Sequence, residues 1–298
     1  MGDPFPLRTI VEMTNSNASG IADSLDIQCT LEGVVHGVNY SGADLIMTII
    51  DADNNGIGVF NDDNTVGYVV QEGDSVRLKG TISQFNGLTQ LRTDSLEIIN
   101  IGNELVTPIA YDGITDSILE ENESSLVSLF NVAFVDESQW AGDGSSFNVD
   151  LASVDDPTKI FVMRIDNDTE LASMPFPGSP GFNPVITGLQ GQFDSSDPFD
   201  SGYQILPRYM DDIVFVTNTN DPILDQAIQI YPNPALEYLE VSSELEIDTY
   251  QIFNQLGQLI QSSSFENKIN ISYLPEGNYF IQFNSGDKLS NKQFIKIK

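Results

Sequence analysis

The sequence predicts an all-β protein of three modules, and three observations carry that expectation. Short alternating runs such as "LEGVVHGV", "LIMTIID", "GIGVF", "SVRLKGTI" and "LEIINI" recur between Gly, Asn and Asp, the spacing of a sandwich or barrel. Residues 80–98, "GTISQFNGLTQLRTDSLEI", have a counterpart in residues 188–213, "GLQGQFDSSDPFDSGYQILPRYMDDI". In both, Gln-Phe leads into a polar loop, then a Gln-apolar strand, an Arg, one or more Asp and a closing apolar strand, which marks an internal repeat. Beyond a polar, proline-containing stretch, "TNTNDPIL" at 217–224, the charge balance changes: residues 222–298 carry five Lys and nine Asp or Glu, net −4, leaving −28 on the first 221.

These marks divide the chain into residues 1–107, residues 108–217, a linker at 218–227 and a tail at 228–298. In the first module "SVRLKGTI" is one of the short alternating runs, and Asn86-Gly87 suits a tight hairpin. "MTIIDADNNGIGVF" has a shadow in "FVMRIDNDTEL" of the second module. Acidic residues before an apolar run in "DSILEENESSLVSLF" suggest one short helical turn there. In the tail, Pro232 and Pro234 cannot donate to a β ladder and fit a kink on an edge strand, while "NQLGQ" and "LPEGNY" carry turn residues.

Charge narrows the function. Lys and Arg total 12 against 44 Asp and Glu, a net of −32. Such a surface repels phosphate backbones and anionic membranes, so nucleic acid is an unfavourable partner, whereas cations are attracted. Cys29 is the only cysteine and cannot form an intrachain disulfide. No run of eighteen apolar residues is present, so no helical membrane span is expected. The start, "MGDPFPLRTI", lacks the pattern of a signal peptide and reads as following a removed segment.

Within the tail, Tyr231-Pro232-Asn233-Pro234, Leu256-Gly257, Leu274-Pro275-Glu276-Gly277-Asn278-Tyr279 and a basic final stretch, "KQFIKIK", which includes Lys296, occur in that order. Together they resemble the C-terminal sorting domain of proteins exported by the type IX secretion system of Bacteroidota. The resemblance implies a small Ig-like antiparallel sandwich of about seven strands. It also implies handling by the translocon, an outer-membrane shuttle and a sortase, and delivery outside the cell or onto its outer surface.

The run Glu72-Gly73-Asp74-Ser75-Val76-Arg77 leading to Gly80 and Phe85-Asn86-Gly87-Leu88-Thr89-Gln90-Leu91, with "LEGVVHGVNY" and "IIDADNNGIGVF", resembles the OB barrel of secreted bacterial nucleases and other exoproteins. Two OB-like β-barrels in tandem, followed by the Ig-like sandwich, are thus the expected architecture. OB barrels bind ligands through aromatic platforms and grooves. Arg77, Lys79, Phe85 and Arg92 are the candidate ligand face, with acidic neighbours around them.

Catalysis finds little support. His36 is the only imidazole and lies in an alternating strand without a nucleophile signature, and no Gly-rich phosphate loop is present. Asp51, Asp53, Asn55 and Asp62 match the spacing of a calcium loop in "DADNNGIGVFND", but apolar strand-like runs flank them, and a hairpin turn would use the same letters. Asp166, Asp168 and Glu170 form a weaker candidate. A non-catalytic binding protein of the cell exterior, with a glycan or other extracellular molecule as ligand, is the resulting expectation. Two alternatives stay open: the substrate- or nucleic-acid-binding part of an extracellular nuclease, and a calcium-dependent adhesion module.

Overall fold

The computed structural model describes residues 4–114, 122–178, 182–217, 227–243, 246–255, 258–285 and 288–298. The chain forms two compact units: one comprises residues 1–177 and 186–213, the other residues 178–185 and 214–298.

A short helix, α1 (Ile10–Thr14), opens the first unit with a reciprocal cap between Thr9 and Glu12. It buries Ile10 and Met13 in the core of a closed barrel. That barrel contains β1 (Gln28–His36), β2 (Leu45–Ile50), β3 (Gly56–Asn61), β4 (Ser75–Phe85) and β5 (Leu88–Asn100), in the order β1-β2-β3-β5-β4. All neighbours are antiparallel except β3 and β5. Alternation along β4 places Val76, Leu78 and Ile82 inside. At Lys79/Gly80 the β4–β5 register shifts, and any Cβ on Gly80 would collide with the Arg92 carbonyl, so the barrel bends where a side chain is missing. Asn86 and Gly87 both take positive φ, 49° and 89°, in a two-residue hairpin.

The second module contains β6 (Ile109–Asp112), β7 (Leu126–Phe130), β8 (Val132–Phe134), β9 (Phe147–Ser153), β10 (Ile160–Ile165), β11 (Phe182–Gln192), β12 (Tyr203–Leu206) and β13 (Ile213–Thr217). Only Asn131, at φ 55°, separates β7 from β8, so the two are one bent strand. Its halves pair with β11 and β9. β9 pairs with β10, β10 runs parallel to β12, and β12 pairs with β11. This ring repeats the pairing order of the first barrel, and the repeat seen in sequence falls on β4–β5 and β11–β12. One alignment needs correction. Because β10 pairs parallel with β12 as β3 does with β5, residues 161–171 correspond to β3 and the segment after it, not to the β2-turn-β3 stretch at 47–60. Of the expected helical turn, residues 115–121 lie outside the described residues, and Leu126–Phe130 is strand.

Among the described residues the tail forms a sandwich of seven strands. One sheet holds β14 (Ile228–Tyr231), β15 (Tyr238–Ser243) and β18 (Lys268–Asn270) in the order β14-β15-β18. The other holds β16 (Thr249–Asn254), β17 (Leu259–Ser264), β19 (Gly277–Ser285) and β20 (Lys288–Lys296) in the order β17-β16-β19-β20. Leu239, Val241, Ile252, Ile269, Ile281, Phe283 and Phe294 fill the space between them.

Residues 101–108, between the first two modules, are tied down by hydrogen bonds from Asn103 N and Nδ2 to Gly73 O (2.8 Å each), from Val106 N to His36 Nε2 (3.2 Å) and from Asn54 Nδ2 to Thr107 O (3.3 Å). The linker at 218–227 lies, apart from its last residue, outside the described residues, and its sequence is polar with no apolar pattern. Limited proteolysis is therefore expected to cut first within 218–227 and to leave residues 101–108 intact. A first cut at 101–108, read by mass spectrometry, would contradict this.

Candidate functional site

In the tail, motif blocks far apart in sequence meet at β20. On one side Gly277, at the start of β19, pairs with Lys296, and Tyr279 pairs with Phe294. Their rings stack with centroids 5.5 Å apart, and the Tyr279 hydroxyl donates to Pro275 O (3.1 Å). On the other side the segment after β14 covers the open edge of β20. Ala235 bridges Lys296, donating to Ile295 O (2.8 Å) and accepting from Ile297 N (2.9 Å). Asn233 extends that cover with its side chain: Oδ1 accepts from Ile295 N (2.9 Å) and Nδ2 donates to Gln293 O (3.0 Å).

This pattern gives the Pro-Asn-Pro spacing a physical reason. Pro232 and Pro234 have no N–H to offer, and the amide of Asn233 between them supplies a donor and an acceptor to the strand edge. Lys296 is buried and donates through Nζ to Ile297 O (2.7 Å); Leu274 is buried in the core. Tyr231 stands apart from the convergence, half-exposed, and lines a hollow of about 520 Å³ with Glu240, Glu246, Phe265 and Lys268. Gly257 lies outside the described residues.

The candidate ligand face of the first barrel is not one cluster. Arg77 lies between Glu32 (2.7 Å) and Glu97 (3.2 Å), and Arg92 pairs with Asp62 beside the Phe60 ring. Lys79 lies between Thr30 and Ser95 on neighbouring strands. Phe85 is at the hairpin tip, eight residues or about 26 Å along the strand from Arg77. There it meets Phe193, its repeat equivalent, edge to face at 6.5 Å.

The calcium-like spacing is also divided. Asp51 Oδ1 accepts from Asp53 N (3.0 Å) and Asn55 N (3.0 Å), closing the turn between β2 and β3. Asp62 follows β3, whose length places it about 20 Å away. Among the described residues no group of three His, Cys, Asp or Glu side chains is placed to hold a metal. Asn54, a residue the sequence did not single out, joins the turn to the second module. Its Nδ2 donates to Leu126 O (2.9 Å) and its Oδ1 accepts from Leu126 N (2.9 Å).

Arg208 is the other residue that sequence reasoning undervalued, having entered only as a mark of the repeat. It is buried and reaches Asp212 (2.8 Å) and Glu72 (2.9 Å), while Glu72 also accepts from Gly37 N (2.7 Å). Burial works against its charge, yet Asp212 and Glu72 hold its pKa above the ordinary value. A neighbouring hollow of about 330 Å³ is lined by Asn39, Asn64, Tyr68, Glu72 and Tyr209 among others. Both Asn side chains and the Tyr68 hydroxyl are already bonded within the barrel, which leaves few groups for a ligand.

His36 is fully buried, and its Nε2 accepts from Val106 N, so Nδ1 carries the proton and donates to Val34 O (2.9 Å). Burial pushes its pKa down to about 4; the Val34 carbonyl opposes that shift and nearby Arg208 adds to it. A pKa depressed in the folded state means the stabilisation is complete above the unfolded value near 6.5 and is lost as pH falls toward about 4. The effect is worth about 3 kcal/mol. Urea melts at pH 7 and 4.5 should show a larger loss in the wild type than in His36→Gln, where no charge is gained; equal losses would contradict this.

Residues 229–298 match the model of the secretion system C-terminal sorting domain. No curated protein matches the chain. Among solved structures, the N-terminal four Ig domains of Dscam1 isoform 6.9 align at 10% identity and a TM-score of 0.20, covering 87% of this chain and 60% of that one. A sorting domain at this position implies secretion through the type IX system, and hence a secreted or cell-surface protein.

Proposed function

We propose that this chain is a non-catalytic binding protein displayed outside the cell, whose tail is read by the translocon, outer-membrane shuttle and sortase of the type IX system. The observation that carries the proposal is the convergence of the Pro-Asn-Pro, Leu-Pro-Glu-Gly and basic terminal blocks on β20, within the stretch that matches the sorting family. Two OB-type barrels form the exposed body. The shared pairing order of β1–β5 and β7–β12 supports that assignment, since the same ring with one parallel pair is built twice.

A glycan or another uncharged extracellular molecule suits these barrels better than nucleic acid. The first 221 residues carry a net −28, and Arg77, Arg92 and Arg208 are each paired with carboxylates. Deleting residues 228–298 from the chain, in a host with type IX secretion, is the direct test. The truncated protein should remain inside the cell while the full chain reaches the surface or medium. Equal export of both would overturn the proposal. A glycan and oligonucleotide screen of the full chain addresses the ligand, and tight oligonucleotide binding at physiological salt would instead support the nuclease-associated reading.

A further inference from the structure

The outer face of the three-stranded sheet of the tail carries a patch that the packing of the tail does not use. Ile228 and Ile230 of β14 and Leu239 and Val241 of β15 belong to the core, so Tyr231, Tyr238 and Glu240 face outward. Register sets Tyr231 opposite Glu240 and Glu240 opposite Lys268. The Lys268 ammonium lies over the Tyr238 ring, 4.3 Å from its centroid. Beside this row is the hollow of about 520 Å³, whose lining brings together Tyr231, Phe265, Glu240, Glu246, Asn267 and Lys268. Asn233, Leu274 and Tyr279 of the sorting motifs are taken up by strand cover and core, whereas Tyr231 is 47% exposed where it lines this hollow.

Two aromatic rings, two carboxylates and an amide around one hollow are surroundings that suit a guanidinium, whose planar fork donates to carboxylates and whose face stacks on rings. The carboxylates outnumber the single cation of the lining, and that cation is drawn onto the Tyr238 ring. The hollow therefore complements a positive charge, which also guides encounter with a basic partner. We propose that it receives an arginine side chain of the type IX export machinery, with the guanidinium against Glu240 and Glu246 and stacked on Tyr231. This inference rests on the reading of the tail as a sorting signal and adds the surface by which the signal is read. β20 closes the sandwich; the hollow makes the contact.

Export of the full chain from a host with type IX secretion tests the proposal, with the deletion of residues 228–298 run alongside. Tyr231→Ala, and separately the double change Glu240→Gln with Glu246→Gln, should each cut the protein found outside the cell by at least about fivefold while leaving the Tm of the purified chain unchanged. Tyr231→Phe, which keeps the ring, and Leu259→Ala, exposed on the other sheet, should export as wild type does. If Tyr231→Ala fails to fold, the double glutamine variant carries the test. Wild-type export of the double variant, or an equal loss in Leu259→Ala, would overturn the inference. Retention of the deletion alongside normal export of the hollow variants would remove the inference and leave the sorting role standing, whereas export of the deletion would remove the sorting role itself. The guanidinium is tested separately by titrating the full chain with N-acetyl-arginine amide and with its uncharged citrulline analogue, followed by NMR. Shifts at Tyr231 and Glu240 with the arginine compound alone are expected; equal responses, or none, would overturn the cationic partner.

Discussion

Replacing Arg208 by Met is expected to destabilise the protein by about 3–5 kcal/mol, one of the two largest losses a single substitution should cause here. The loss arises from what stays behind. Asp212 is 4% exposed and accepts from Arg208 Nε (2.9 Å), Nη2 (2.8 Å) and its backbone N (2.7 Å), so removing the guanidinium leaves a buried carboxylate without its cation. Glu72 keeps Gly37 N as a donor and suffers less. Arg208→Lys should recover little, because an ammonium cannot reproduce the two-pronged contact with Asp212. Urea denaturation measures both variants, and a loss below about 1 kcal/mol for Arg208→Met would mean the cluster behaves like a surface ion pair.

Phe294→Ala should cost the tail about 3–5 kcal/mol, comparable to other fully buried aromatics. Phe294 is wholly buried and stacked on Tyr279, whereas its neighbour Ile295 points outward and is 41% exposed. Ile295→Ala should therefore cost less than about 1 kcal/mol. The pair of variants separates the role of the inward face of β20 from that of its surface. A tail melting transition that survives Phe294→Ala unchanged would contradict the packing described.

How much of this could be read from sequence depends on whether the signal was local. The hairpin at Asn86-Gly87 was legible because positive φ at two consecutive residues demands those residue types. Strand β4 showed its alternation openly, and the internal repeat was visible because Gln84-Phe85 and Gln192-Phe193 end equivalent strands. Contacts between distant segments left no such trace. Asn54 looked like one more turn residue, yet its amide matches the backbone of Leu126, seventy-two positions away. The calcium spacing misled because a count along the chain cannot tell a folded loop from a loop followed by an extended strand, and β3 carries Asp62 away from Asp51. Arg77 and Arg92 looked like a basic face, but cross-strand partners such as Glu32 and Glu97 are fixed by barrel register. In the tail the motif order pointed to the family; its reason, the closure of Asn233 and Ala235 over β20, required the fold.

The central claim is that the tail alone carries the address and that β20, clasped on both sides, is its key element. It is tested by fusing residues 222–298 to a periplasmically targeted reporter in a cell with the type IX machinery and measuring the reporter outside the cell. The account predicts export of the intact fusion and retention of a fusion lacking "KQFIKIK", residues 292–298. Export of the truncated fusion at the level of the intact one would contradict it.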